Sequence, residues 1–239
     1  MTRFIFLTDS HAGAVQGGYH QQACYAAHLP ELLSLLDDWS IRHQVDFIIH
    51  GGDMVDHSSQ AAIQAAYRDF QLSVPVYLCL GNHDLCDKNA LAIWLHEAPA
   101  FFPNGSPTYA IQRNDVVIAV MPNHWCEMPF YWDEKVQMPH FSDDQFCMWR
   151  QMVRQAAGRP MILVTHSEVC GVPAAQTGCQ QAYHTPNPDY VQSVNTMING
   201  VDPLRCILSG HNHINTCCVL ESTGCFTVTA SAFTEVPFE

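Results

Sequence analysis

Five short polar clusters constrain this chain more than any other feature, because each directly follows a short apolar run typical of a β-strand. The clusters are Asp9-Ser10-His11, Gly52-Asp53, Gly81-Asn82-His83-Asp84, Thr165-His166-Ser167 and Gly210-His211-Asn212-His213. Ligands of layered α/β proteins bind beyond the carboxyl ends of strands, so we expect the clusters to meet at one edge of a sheet. One cluster alone would be typical of a turn or a helix cap. Five together offer carboxylates, an amide oxygen and imidazoles, which are the donors of a two-metal site.

The order of apolar patterns predicts the fold class. Strand-like runs alternate with helical spacing in the first half of the chain, and hairpins are predicted in the middle and at the end. The predicted strands are 3–8, 46–50, 75–80, 109–112, 116–120, 161–164, 206–208, 216–220 and 226–230. The predicted helices are 29–42, 61–70, 88–96, one that starts at a capping box on Ser142, and 189–198. This order favours a layered α/β protein with mixed sheets over a uniform parallel sheet.

Three segments carry more specific predictions. The first helix should bury a stripe at helical spacing, formed by Leu32, Leu33, Leu35, Leu36 and Trp39. Residues 122–141, rich in aromatic residues, proline and methionine, are predicted to form an irregular surface insert, named the insert below. Residues 171–188 are predicted to form a long loop. Because the chain shows no repeat and no interdomain linker, residues 1–239 are predicted to form a single domain.

Charge and cysteine usage narrow the class of protein. The 10 basic and 23 acidic side chains give a net charge of −13, which repels polyanions and disfavours partners such as nucleic acid. The N-terminus lacks the pattern of a signal peptide, and we expect no membrane span. The 11 cysteines are scattered without a Cys-x-x-Cys pair, which favours free thiols in a cytoplasmic protein. Monomer and homodimer both remain open.

The donor types suit divalent metals of the zinc, manganese and iron kind. Asp9 and His11 are two residues apart, so both can turn toward one ion on a loop leaving a strand. Asp53 follows two glycines, which allow close backbone approach and let its carboxylate bridge two ions. Asn82 offers a neutral amide oxygen. Two divalent ions with two carboxylates leave a charge of about +2, which would attract a small anionic phosphoester.

Other histidines lack such support. His50 and His57 are predicted to be groups that back the ligands or lie at the surface. His124 and Trp125 of the insert could form a rim over a substrate, although ordinary packed or exposed side chains are the favoured interpretation.

The five clusters, in this order, resemble the signature of the calcineurin-like metallophosphoesterases over Asp9 to His213. The resemblance implies a four-layer α/β/β/α sandwich, with two mixed sheets flanked by helices. It also implies two divalent or trivalent ions of manganese, iron or zinc. One ion would be held by Asp9, His11, Asp53 and His213, and the other by Asp53, Asn82, His166 and His211.

The resemblance further implies roles for two residues that are not ligands. His83 matches the histidine that contacts the phosphate and protonates the leaving oxygen, and Asp84 would orient or charge its imidazole. The protein Ser/Thr phosphatases of the family carry an arginine after Gly-Asp and end the third motif in Glu, and this chain departs from both. It looks more like the bacterial class III phosphodiesterase branch, which includes cyclic-nucleotide phosphodiesterases.

The favoured function is hydrolysis of a phosphodiester, such as a cyclic nucleotide or another small nucleotide or lipid diester. A metal-bridging hydroxide would attack phosphorus in line, and His83 would protonate the leaving group. A phosphomonoesterase or a nuclease of the same superfamily is an alternative. A non-catalytic metal-binding scaffold is the alternative from a different class, but such family members usually lack ligands or the matching histidine, and none is missing here.

Overall fold

The computed structural model describes residues 1–14, 26–171, 185–221 and 223–235, and within these ranges it contains nine strands and five α-helices. The strands are β1 (Phe4–Leu7), β2 (Phe47–His50), β3 (Val76–Leu78), β4 (Tyr109–Gln112), β5 (Val117–Val120), β6 (Met161–Val164), β7 (Leu204–Ser209), β8 (Thr216–Leu220) and β9 (Cys225–Thr229). The helices are α1 (Leu29–His43), α2 (Gln60–Asp69), α3 (Ala90–Glu97), α4 (Asp143–Ala156) and α5 (Pro188–Ile198). The predicted loop at 171–188 lies largely outside the described residues.

The strands form two sheets. The first contains β1-β2-β3 in that order, and all of its neighbours are parallel. The second has the order β4-β5-β6-β7-β9-β8, with antiparallel pairs at both edges and parallel pairs between them. The mixed character of the second sheet follows from the two hairpin-like pairs that the sequence predicts.

Strand β5 of the second sheet is buried on both faces, and its successive residues point to opposite sides. Ile118 and Val120 of β5 belong to a core shared with the first sheet and with α1, α2 and α3. Val117 and Ala119 belong to a second core, which they share with α4 and α5. The layers are therefore helices, sheet, sheet and helices, and the predicted four-layer sandwich is confirmed.

The buried face of α1 differs from the predicted stripe. Leu29 and Leu33 are buried, whereas Leu35 and Trp39 are 65% and 44% exposed. Positions 29, 33, 36 and 40 follow one line of a 3.6-residue helix, and positions 35 and 39 lie off that line. Because leucines occur on more than one side of α1, the sequence does not show which side is buried. The prediction was therefore wrong for Leu35 and Trp39.

The insert is irregular, as predicted, with a single isolated bridge between His124 and His140. Its placement at the surface is wrong for two of its aromatic side chains. Trp125 is fully buried and Trp132 is 6% exposed. These two rings pack toward the polar clusters, so the insert forms part of one wall of that region.

Two simpler predictions concern thiols and membranes. Nine cysteines lie in the described part of the chain, and each of these nine is a free thiol. No helix among the described residues is long and apolar enough to cross a bilayer.

Candidate metal centre

The polar clusters meet where the carboxyl ends of the parallel strands of the two sheets come together. The loop after β1 is held to the loop after β2, because the Asp9 N–H donates to the Gly52 carbonyl at 2.9 Å and the His11 N–H donates to the Asp53 carbonyl at 3.0 Å. The loops after β6 and β7 are joined in the same way, by the Gly210 N–H and the His166 carbonyl at 3.0 Å. The meeting point predicted from the strand pattern is therefore present.

The backbone at this meeting point is strained. Ten non-glycine residues in the described chain have a positive φ, and five of them are predicted ligands: Asp9 (54°), His11 (43°), Asp53 (51°), His211 (73°) and His213 (59°). A left-handed conformation costs an L-residue about 1–2 kcal/mol. Strain of this kind persists where the surrounding structure holds it and concentrates at functional sites.

Glycines allow the loops to approach one another closely. A Cβ on Gly52 would overlap the His166 ring, and a Cβ on Gly210 would overlap the Thr8 hydroxyl and the Asp9 carboxylate. A Cβ on Gly81 would overlap the Asp53 carboxylate and lie 2.5 Å from the Asp53 amide nitrogen. Each glycine therefore occupies space that a larger residue would take from a predicted ligand.

Gly81→Ala is expected to lower the free energy of unfolding by about 3 kcal/mol, because the rigid loop around Asp53 must move to admit the methyl group. Urea unfolding measures this loss. Gly200→Ala is the control, because Gly200 has a φ of 72° but no described atom lies within 4 Å of the added Cβ. The control therefore reports conformational strain alone, about 1 kcal/mol. An equal loss in both variants would contradict the steric role of Gly81.

Asp9, His11 and His213 form the first donor group. The His213 Nε2 atom lies 3.3 Å from Asp9 Oδ1 and 3.2 Å from His11 Nε2. All three side chains are buried. The Asp9 carboxylate is fixed by the Thr8 hydroxyl, which donates to it at 2.6 Å, and by the His211 N–H at 3.0 Å. These three side chains can therefore converge on one ion.

Asp53, His166 and His211 form the second donor group. The His166 Nε2 atom lies 3.2 Å from Asp53 Oδ2, and the rings of His166 and His211 are 5.1 Å apart. Asp53 Oδ2 is also 3.9 Å from the His11 Nε2 atom of the first group. Asp53 therefore lies between the two groups, in the position that a shared ligand would need.

Backbone and carboxylate groups orient the imidazoles. The His166 Nδ1–H donates to the Gly51 carbonyl at 2.9 Å, which leaves Nε2 directed at Asp53. The His213 Nδ1 atom lies 3.0 Å from Glu235, and the His11 Nδ1 atom lies 3.3 Å from Asp56. A carboxylate or carbonyl behind a histidine is the usual support for a metal-ligating imidazole. Asp56 and Glu235 are not predicted as supporting groups from the sequence, because no motif or spacing links them to the ligands.

The electrostatics of the two groups favour positive charge. Burial alone would lower the pKa of His166, but the Asp53 and Asp9 carboxylates outweigh burial and raise that pKa to about 9. Burial would also lower the pKa of His213, but the Asp9 and Glu235 carboxylates outweigh it and raise that pKa to about 10. Burial raises the pKa of Asp53, yet the surrounding histidines hold it below its ordinary value. A cation placed among these donors would be stabilised by the same field.

Asn82 provides a test of whether the residues fit two ions. Its Oδ1 atom is buried and accepts no hydrogen bond from any described residue. A buried amide oxygen without a partner costs free energy, so it calls for a ligand. Together with carboxylates and imidazoles, it completes a donor set suited to zinc, manganese or iron. The side chains present therefore fit two metal ions.

His83 and Asp84 are adjacent in sequence but have different surroundings. The His83 Nδ1 atom lies 2.8 Å from the Asp56 carbonyl, and its ring meets the His11 ring edge-on at 4.8 Å. Asp84 is fully buried and accepts backbone N–H groups from Met54 and Val55 at Oδ1 and from Gly81 at Oδ2. The hydrogen bonds therefore show Asp84 tying the loops after β2 and β3 together, and they give the His83 imidazole a carbonyl partner in place of Asp84.

His50, at the end of β2, contacts the loops that follow β1 and β2. It is fully buried, and burial lowers its pKa to about 3, so the imidazole is neutral. The Gly52 N–H donates to Nδ1 at 3.2 Å, so the remaining ring proton is on Nε2 and donates to the Ser10 hydroxyl at 2.7 Å. His50 thus links two of the polar clusters.

Sequence and structure comparisons point to one family. The family model described as calcineurin-like phosphoesterase matches residues 2–215. Curated protein sequences show no significant match to the chain. The fold is similar to a dimetal phosphatase from Danio rerio, with 15% identity, a TM-score of 0.74, and coverage of 99% of this chain and 89% of that one.

Two further solved structures share the fold. One is GAP50, described as the anchor in the inner membrane complex of Plasmodium, with 11% identity, a TM-score of 0.63, and coverage of 98% of this chain and 72% of that one. The other is a purple acid phosphatase from yellow lupin (Lupinus luteus), with 13% identity, a TM-score of 0.61, and coverage of 100% of this chain and 45% of that one. At such identities the likeness concerns the fold.

Proposed function

The chain belongs to the calcineurin-like phosphoesterase family, and from that premise we propose that it hydrolyses a small phosphodiester with two bound metal ions. Asp9, His11 and His213 would hold one ion, Asn82, His166 and His211 the other, and Asp53 would serve both. The observation that carries the proposal is the convergence of two donor groups, buried except for the half-buried His211, on either side of the Asp53 carboxylate. When bound, two such ions polarise the phosphoryl group and make water a stronger nucleophile at neutral pH.

His83 is the residue proposed to move a proton. Its Nδ1–H donates to the Asp56 carbonyl, so Nε2 is the atom that exchanges a proton with the substrate. As the bond from phosphorus to the leaving oxygen breaks, Nε2–H would transfer its proton to that oxygen. The half-buried position of His83, beside the His11 ring, suits a group that meets both the buried donors and a substrate.

A cavity that shares Trp125 with the surroundings of the donor groups, but is lined by none of the proposed ligands, supports an organic substituent on the substrate. The cavity has a volume of about 750 Å³, and its lining includes Trp125, Tyr131, Met138 and Tyr190. Trp125 also contacts the metal-ligand region, because its ring lies 5.1 Å from that of His211. Space of this size, separated from the proposed reaction centre by the Trp125 ring, favours an ester with a substantial second group, and hence a diester over a simple monoester.

The charges that line the cavity limit which kind of second ester group could bind there. Glu127, Asp133 and Asp189 line the cavity together with a single lysine, Lys88, so the lining is acidic. A polyanionic group would be repelled there. The proposed substrate is therefore a small diester with one phosphate group at the metal centre, and a nucleic acid is disfavoured.

The test is a kinetic comparison of a diester with a monoester after loading the protein with manganese, iron or zinc. Bis(p-nitrophenyl) phosphate is expected to be hydrolysed with a kcat/KM at least about tenfold higher than p-nitrophenyl phosphate, because only the diester fills the cavity. A preference for the monoester would overturn the diester assignment. If neither ester, and no other phosphate ester in a wider panel, is hydrolysed with any of the three metals, the protein is better explained as a non-catalytic scaffold.

A further inference from the structure

A second kind of donor cluster lies outside the proposed metal centre. The Nδ1 or Nε2 atom of His57, the Sγ atom of Cys86 and a carboxylate oxygen of Glu134 all lie within 4.8 Å of one another. The three residues come from separate segments: the loop before α2, the turn after β3, and the insert. Since their positions in sequence do not force them together, the tertiary fold has placed three metal-binding donor types at one point.

One of the three donor distances already suits a tetrahedral ion, and three donors leave one position for water. Donor atoms around tetrahedral zinc lie about 3.4–3.7 Å apart, given its usual bond lengths. The His57 Nδ1 atom and the Glu134 Oε1 atom are 3.6 Å apart, so this pair already has the required spacing. The side chains of His57 and Glu134 are 62% and 58% exposed, which gives them the rotamer freedom to close the remaining distance to Cys86.

Cys86 decides which metal the cluster would select. Thiolate and imidazole donors favour zinc over magnesium, calcium or manganese. The Cys86 thiol is half-buried and donates to the His83 carbonyl at 3.2 Å, so its sulfur is held on the turn that carries His83. Binding an ion requires the thiolate, so one proton would be released to solvent.

The backbone of the insert also favours this arrangement. Glu134 has a φ of 63°, in the left-handed region that a non-glycine residue rarely adopts. Two residues earlier, the Trp132 ring packs 5.0 Å from the His83 ring. The segment that supplies the carboxylate is therefore held beside the turn that supplies the thiol.

We propose that His57, Cys86 and Glu134 form a third metal site, selective for zinc and open to exchange, which ties the insert to the turn carrying His83. The site does not depend on which ester the protein hydrolyses. Three protein donors leave a fourth position for water, in contrast to the four protein donors of a structural zinc site.

The test uses Co²⁺ as a spectroscopic probe for zinc. The protein, kept reduced, is first given excess Mn²⁺ to fill the proposed two-ion centre and is then titrated with Co²⁺. None of the seven proposed ligands of that centre is a cysteine, so a sulfur-to-cobalt charge-transfer band would report thiolate ligation elsewhere. We expect a band that saturates at one cobalt–thiolate site per chain and that disappears when Zn²⁺ is added.

Variants assign the band to residues. Cys86→Ser is expected to abolish it, whereas Cys126→Ser, a half-buried cysteine of the insert, is the matched control and should keep it. His57→Asn and Glu134→Gln change exposed side chains, so the fold should persist, and each should weaken Co²⁺ affinity by at least about tenfold. Absence of the band in the unmodified protein would overturn the proposal. So would a band that survives Cys86→Ser, or Co²⁺ affinity unchanged in both exposed variants. These readouts do not involve catalysis, so they stand apart from the test of the proposed function.

Discussion

Asp53→Asn is expected to remove most of the bound metal and to lower kcat/KM for a phosphate ester by about a thousandfold, which corresponds to about 4 kcal/mol of transition-state stabilisation. Asp53 is 2% exposed and its Oδ2 atom faces His166 at 3.2 Å and His11 at 3.9 Å. Its carboxylate therefore faces a histidine of each donor group. In the proposed assignment Asp53 serves both ions, so its loss would affect both at once.

The geometry also predicts how the amide would sit. Asp53 Oδ1 accepts the His83 N–H at 2.8 Å, so an asparagine would keep its oxygen at that position. Its NH₂ group would then take the place of Oδ2 and point hydrogens toward the His166 and His11 rings. An ion would be repelled by these hydrogens, which is a larger effect than the loss of one negative charge.

Metal analysis of purified protein and steady-state kinetics on the same sample measure the result. The control is Asp69→Asn, which removes an exposed carboxylate at the last residue of α2. A circular dichroism spectrum of Asp53→Asn that matches that of the unmodified protein would show that the variant keeps its fold. Full metal content in Asp53→Asn would contradict the shared position of this carboxylate.

His83→Ala is expected to leave the metal content unchanged and to lower kcat by about 10²–10⁴-fold, the usual contribution of a general acid. His83 is held by the Asp56 carbonyl at Nδ1 and contributes no atom to the two proposed ligand sets. The loss should depend on the leaving group. A diester with an alkyl leaving group needs the proton and should suffer the full loss, whereas p-nitrophenolate leaves readily without it.

The measurement is kcat for both kinds of diester, with metal content determined in parallel. His96→Ala is the control, because the His96 side chain is 83% exposed and lies on α3. Unchanged turnover would rule out the assigned role. An equal loss for both leaving groups would assign His83 to binding the phosphate and not to proton transfer.

Much of the fold follows from patterns that sequence displays directly. Short apolar runs predict β2 and β6 to within a few residues, and the capping box at Ser142 and Gln145 is present at the start of α4 as predicted. These signals depend on neighbouring residues in the sequence, so they can be recognised without knowledge of the tertiary contacts. The face that α1 buries was not predicted correctly, since Leu35 and Trp39 are exposed, because choosing a face requires knowing the surface against which the helix packs.

The support around the candidate site was not predictable. Asp56 contacts His11 and His83, and Glu235 contacts His213, yet both are single acidic residues in segments without a motif. Trp125 belongs to a segment whose composition is typical of a surface loop, and it is fully buried beside His211. Contacts of this kind depend on long-range packing, which leaves no spacing signal in the sequence.

The sequence by itself determined the donor types, their order and their place after strands, because those properties depend only on residue identity and on local strand patterns. Only the tertiary structure decided the distances among the donors, with Asp53 Oδ2 3.2 Å from His166 and 3.9 Å from His11, and it placed the Asp56 carbonyl, not Asp84, behind His83. The physical reason lies in the loops. Distances between side chains on different loops depend on positive φ angles and on glycine contacts between loops, which bring together residues as distant in sequence as Asp9 and His213.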